Sequence, residues 1–139
     1  MPVRKRKTVG AFEVVDFPLF SMTGVKAKID TGAYTGALHC TKISEEQTPE
    51  GPILKFSPFN KPNLHVVERD YAIRMVRSSN GAPQKRYFIK TQIVVQGKPY
   101  GITLSLADRS EMRSSVLIGR RFLRRYSFLV DVRKATRVS

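Results

Sequence analysis

An all-β domain with one short helix near its C-terminal end is the fold class this sequence predicts. Three observations predict it. Alternating and β-branched runs recur along the chain, turn-forming residues separate them, and only one segment has the composition of a helix. In chain order the predicted strands are Val9–Asp16, Val25–Asp30, Ile53–Phe56, His65–Arg77, Arg86–Val95 and Tyr100–Leu106, followed by shorter ones at Val116–Ile118 and Phe128–Val132. In the first of these, Glu13 and Asp16 alternate with Val and Phe, which reads as a strand. Asn80-Gly81 is a hairpin signal between two strands, and Gly97-Lys98-Pro99 links two more. The helix follows Gly119, where Arg120–Tyr126 is rich in Arg, Phe and Leu. Ser44–Pro52 and Ser57–Asn63, dense in polar and turn-forming residues, read as loops.

At 139 residues and 15.8 kDa the chain suits one domain with a core of its own. We expect that domain over residues 9–132, between basic tails at 1–8 and 133–139. Hydrophobic residues at 41% and charged residues at 26% exclude a wholly disordered chain. No apolar run approaches the length of a membrane-spanning helix, so no membrane partner is expected. The single cysteine, Cys40, excludes an internal disulfide framework and fits a reducing compartment. Arg4-Lys5-Arg6-Lys7 precedes an apolar stretch, but Glu13 and Asp16 interrupt that stretch, so it is no signal peptide and a cytoplasmic location is expected. Lys and Arg number 25 against 11 acids, giving a net charge of +14. Such a field draws polyanions, so non-specific polyanion binding is expected as well.

The segment richest in chemistry is Val25–Ala33. A strand ends at Ile29 and Asp30-Thr31-Gly32 follows at once, which carries a carboxylate to the rim on a rigid support. Taken alone, Asp-Thr-Gly also reads as an ordinary turn, because Asp and Gly are common turn formers. A second segment, Ser115–Leu123, runs through Val116-Leu117-Ile118 into Gly119-Arg120 and an amphipathic turn.

With both segments in this order, the sequence resembles the retropepsin-like aspartic peptidases, whose subunits carry an Asp-Thr-Gly-Ala turn and a later apolar-apolar-Gly-Arg segment. More narrowly it is similar to a bacterial branch that carries the label "ATP-dependent zinc protease". Ala27–Ala33, Ala37-Leu38-His39, Arg77–Gly81 and Leu106–Met112 match that branch, and the resemblance runs from about Val9 to about Val132. It implies a closed β-barrel or sandwich. It also implies Asp30 as catalytic residue, Thr31, Gly32 and Ala33 as the supporting turn, and Ile118, Gly119 and Arg120 packed against that turn. The flap hairpin would fall at Met75–Phe88, its tip formed by Arg77, Ser78, Ser79, Asn80 and Gly81. Each subunit supplies one Asp, so activity implies a symmetric homodimer. Two departures stand out. Retroviral subunits place an acid just after the turn to pair with the helix arginine, and this chain has Tyr34 there, leaving Arg120 without that acid. The stretch between turn and flap is also longer.

The branch's label can be tested on the residues. A catalytic zinc takes three protein ligands, and the only nitrogen or sulfur candidates are His39, Cys40 and His65. His39 and Cys40 are adjacent and would point to opposite faces of a strand. No His-Glu-x-x-His or Cys-x-x-Cys spacing occurs, and no phosphate-binding Gly-rich loop supports ATP use. No metal or cofactor is expected. His39 reads as a packed or surface histidine and Cys40 as a small buried side chain. The expected function is therefore an aspartic endopeptidase acting on a peptide or protein substrate. The alternative is a catalytically idle β-domain that binds peptide or polyanion, partnered with an ATP-grasp ligase that modifies proteins.

Overall fold

The computed structural model describes residues 7–59, 61, 63–77, 80–109 and 112–134. Eleven strands and one α-helix are formed among them: β1 Thr8–Val9, β2 Phe12–Phe17, β3 Met22–Ile29, β4 Gly36–Thr48, β5 Gly51–Pro58, β6 Val66–Glu68, β7 Tyr71–Arg77, β8 Pro83–Val95, β9 Lys98–Ala107, β10 Val116–Ile118, α1 Arg120–Arg125 and β11 Leu129–Val130. Six of the strands close a barrel in the order β10, β3, β2, β8, β9, β4, with β4 returning to β10. The barrel is mixed: β10 runs parallel to β3 and β4 parallel to β9, while the other neighbours are antiparallel. Closure removes the free edges of the six-strand ring.

Alternation along each strand selects the core. In β2, Glu13, Val15 and Phe17 are buried while Phe12, Val14 and Asp16 are partly exposed, the period-2 pattern read from the sequence. Leu38, Ile89, Ile93, Leu104 and Ile118 fill the interior beside Val15 and Phe17. Two aromatic groups seal the barrel. Phe17 packs on Phe20 and Phe59, and Phe20 meets Phe56 edge-on. Tyr100, Phe122, Tyr126 and Phe128 form the other group and hold α1 against β9.

The structure corrects the predicted elements at three places. Ser44–Pro52 is no loop: β4, absent from the predicted strands, runs from Gly36 to Thr48, the chain turns at residues 49–50 and returns as β5, and the Thr48 hydroxyl donates to the Gly51 carbonyl at 2.6 Å. Ser57 and Pro58 likewise belong to β5. The single strand expected over His65–Arg77 is two, broken at Arg69 and Asp70, because β6 pairs with β5 and β7 with β8. At the ends, β1 and β11 pair with each other in parallel, and the Lys134 carbonyl accepts from the Ala11 N–H at 3.0 Å. Arg4–Arg6, the remainder of the basic tail past Lys134, and Asn60 and Pro62 lie outside the described residues.

Candidate active site

Asp30 follows the last residue of β3, and its position is fixed by backbone from two other segments. Its N–H donates to the Ile118 carbonyl at 2.9 Å, continuing the parallel β3–β10 ladder in which Ile29 pairs with Ile118. Its own carbonyl accepts from the Ala33 N–H at 3.2 Å, closing the Asp30–Ala33 turn. The Gly32 N–H donates to Asp30 Oδ1 at 3.0 Å, which orients the carboxylate within the turn. Thr31 and Gly32 are exposed, and Asp30 and Ala33 are half-buried.

Ile118, Gly119 and Arg120 pack against this turn. Gly119 is buried, and a Cβ there would stand 2.6 Å from the Tyr34 carbonyl oxygen and 2.8 Å from that of Ala33, so only glycine fits. The contact lets the first N–H groups of α1 reach the turn: Arg120 N–H donates to the Ala33 carbonyl at 2.8 Å and Arg121 N–H to that of Tyr34 at 3.0 Å. The acid missing after the turn is replaced by backbone. Arg120 Nη1 donates to the Thr31 carbonyl at 2.9 Å, and its guanidinium lies 5.9 Å from the Tyr34 ring centroid.

The hairpin matched to the flap is β7 and β8, paired from Tyr71 with Ile89 to Arg77 with Pro83. Arg77 is exposed at its outer end, and Asn80 Oδ1 accepts from the Ala82 N–H at 3.0 Å across Gly81, whose φ of +83° favours glycine. Ser78 and Ser79 lie outside the described residues.

Sequence reasoning assigned no role to Arg109, though it lies in the Leu106–Met112 motif. Its N–H donates to His39 Nδ1 at 2.8 Å and its Nε to the Ser114 carbonyl at 3.0 Å, which ties the residue to the segment that leads into β10. Burial lowers the Arg109 pKa, and the Asp30 carboxylate pushes it back up. A guanidinium is thus coupled electrostatically to the Asp30 carboxylate. The signal in the sequence was the motif itself, which carried an arginine without a partner in view. Ser110 and Glu111 of that motif lie outside the described residues.

His39 is 1% exposed, accepts from the Arg109 N–H, and has the Asp108 carboxylate 3.8 Å from Nδ1. Cys40 is fully buried, which pushes its thiol well up and leaves it unreactive. Among the described residues no group of three His, Cys, Asp or Glu side chains could hold a metal ion. The Ser57 hydroxyl and His65 Nδ1 lie 3.4 Å apart.

A closed mixed barrel, with an Asp-Thr-Gly-Ala turn seated on an apolar-Gly-Arg segment, is the architecture of the retropepsin-like aspartic endopeptidases. The chain belongs to the RimB-like family, described as retropepsin-like aspartic endopeptidase RimB, whose model matches residues 8–138. Among curated proteins it is similar to the probable alpha-L-glutamate ligase of Parasynechococcus marenigrum, 31% identical over 81% of this chain and 25% of the ligase. The probable alpha-L-glutamate ligase of Shewanella pealeana is 28% identical over 81% of this chain and 26% of its own length. The chain thus spans about a quarter of the length of these relatives. Its fold is similar to the crystal structure of a Legionella pneumophila protein of unknown function (DUF785), with a TM-score of 0.71 at 21% identity over 97% of this chain and all of the other.

Proposed function

We propose that the chain is an aspartic endopeptidase whose catalytic carboxylate is Asp30, active as a symmetric homodimer. One observation carries the reading: the Asp30 carboxylate sits on a turn fixed by β10 and α1, with Gly32 N–H on Oδ1 at 3.0 Å. One chain has one such turn, so the second carboxylate comes from a second copy across a two-fold axis. Two carboxylates about 3 Å apart cannot both ionise readily and hold one proton between them. The ionised member takes a proton from water, the water oxygen attacks the peptide carbonyl carbon, and the protonated member donates to the carbonyl oxygen. Collapse of the tetrahedral species then breaks the C–N bond: the carboxyl that took the water proton gives it to the leaving amine, and the other carboxylate takes a proton back from a hydroxyl as the acid product forms. The exposed Thr31 and Gly32 suit contact with a second turn and with a substrate backbone. The net charge of +14, and relatives named for glutamate ligation, favour an acidic peptide as substrate.

The experiment is a peptide-library digest by wild type and Asp30→Asn, with light scattering on both. Cleavage by a wild-type dimer that falls at least about a hundredfold in the variant is expected, the usual scale of general acid–base catalysis. Equal cleavage by both sinks the aspartate mechanism. A second reading draws on the ligase relatives, of which this chain spans about a quarter. In it the domain is an idle module that binds peptide for a separate glutamate ligase, and a strict monomer that binds acidic peptide without cutting it favours that reading.

A further inference from the structure

A cavity of about 280 Å³ lies between β8, β9 and α1, just under the usual range for small-ligand pockets. None of Asp30, Thr31, Gly32 or Ala33 lines it. Ile102 and Phe122, both buried, give it an apolar wall, and Tyr126 closes one side with its hydroxyl donating to the Gly101 carbonyl at 3.0 Å. Into this lining β8 sets Thr91, in an inward row whose other members are Ile89, Ile93 and Val95. Thr91 is only 5% exposed, and its Oγ1 is buried without a hydrogen-bond partner.

The charge around the cavity has one sign. Arg121 and Arg125 stand one helical turn apart on the same face of α1. Both are exposed, no acidic residue lines the cavity, and no ion pair joins either to a carboxylate among the described residues. Guanidinium groups present paired N–H donors that match carboxylate and phosphate oxygens. We propose that this cavity is a second binding site, for a small oxyanion (a carboxylate or phosphate group on a compact, partly apolar body). Arg121 and Arg125 hold the anionic group, and the apolar wall of Ile102 and Phe122 takes the body that carries it. The site does not depend on Asp30 being catalytic.

The test is titration of the isotope-labelled full chain with inorganic phosphate and, separately, with succinate, at constant ionic strength against chloride. Saturable amide shifts are expected at Thr91, Gly101, Arg121 and Arg125 and not at Thr31 or Gly32, and the tighter anion identifies the head group. Arg121→Gln should weaken binding at least tenfold, and because its side chain is exposed the fold should survive. Asp30→Asn should bind as wild type does, so loss of peptidase activity and loss of this site are separate results. Shifts that never saturate and spread over the whole basic surface would overturn the proposal, as would Arg121→Gln binding like wild type.

Discussion

The Asp30 turn and the β7–β8 hairpin are both short polar segments between strands, yet they are held in opposite ways. The turn is fixed by backbone: Ile118, Ala33 and Gly32 bond to Asp30, and α1 donates to Ala33 and Tyr34. Glycines beside it are there for lack of room. The hairpin is held by its own ladder and by side chains at its root, while Ala72, Ile73, Arg74 and Met75 are exposed along β7. Its glycine is there for conformation. The first arrangement fixes the backbone that carries a side chain, and the second leaves a segment few contacts to break when it moves.

The largest expected effect tests the tightness of the first region. A Cβ on Gly36, which follows the turn at the start of β4, would overlap the Leu117 carbonyl oxygen and touch Leu104 Cδ2 at 3.0 Å. Backbone on β10 cannot move aside without disturbing the ladder that carries Asp30. Gly36→Ala should therefore cost about 3 kcal/mol, the upper part of the range for overpacked sites. The urea midpoint measures it. Gly81→Ala is the matching change in the hairpin, where a Cβ meets nothing within 4 Å and only the φ of +83° opposes it. We expect about 1 kcal/mol there, the cost of a left-handed non-glycine residue. Equal losses in the two variants would mean that the two glycines are not held for different reasons.

Much of this architecture was legible locally. Period-2 alternation located most of the strands, and two short motifs located the turn and the segment packed on it, because each depends on neighbours in sequence. What escaped was long-range. β4 escaped whole: residues 36–43 lie in no predicted strand, and Ser44 to Thr48 is polar and reads as loop, yet Glu45 pairs with Leu54 of β5 and is reached by Tyr71 and Tyr87 from β7 and β8. Arg109 bonds to His39 and Ser114 and lies in the field of the Asp30 carboxylate, neighbours that only the folded barrel brings together. The acid that Arg120 lacks was visible, but its substitute, the Thr31 carbonyl, is a backbone group that every sequence has. The cavity behind α1 left no trace, since its lining comes from β8, β9 and α1, which only the fold brings together.

The smallest expected effect concerns the root of the hairpin. Glu45 accepts from the Tyr71 hydroxyl at 2.8 Å and the Tyr87 hydroxyl at 3.0 Å, with Lys85 Nζ at 3.4 Å, so one carboxylate of β4 ties both arms of the hairpin. The Tyr71 bond first, then that of Tyr87, hold its pKa below the ordinary value of 4.5. The same contact, after burial, raises both tyrosines. A carboxylate with a lowered folded pKa contributes stability above its unfolded pKa and loses it as pH falls through the folded one. The tie should thus hold at neutral pH and weaken below 4.5. Thermal midpoints of wild type and Glu45→Gln, followed from neutral pH into that range, measure it. The wild-type midpoint should fall more steeply and approach that of the variant. Added salt should shrink the gap at neutral pH, because the group is partly exposed and its attraction to Lys85 is screened. Curves that stay parallel through the acid range would mean that the hairpin is rooted by its ladder alone, and the contrast with the Asp30 turn would be sharper than drawn.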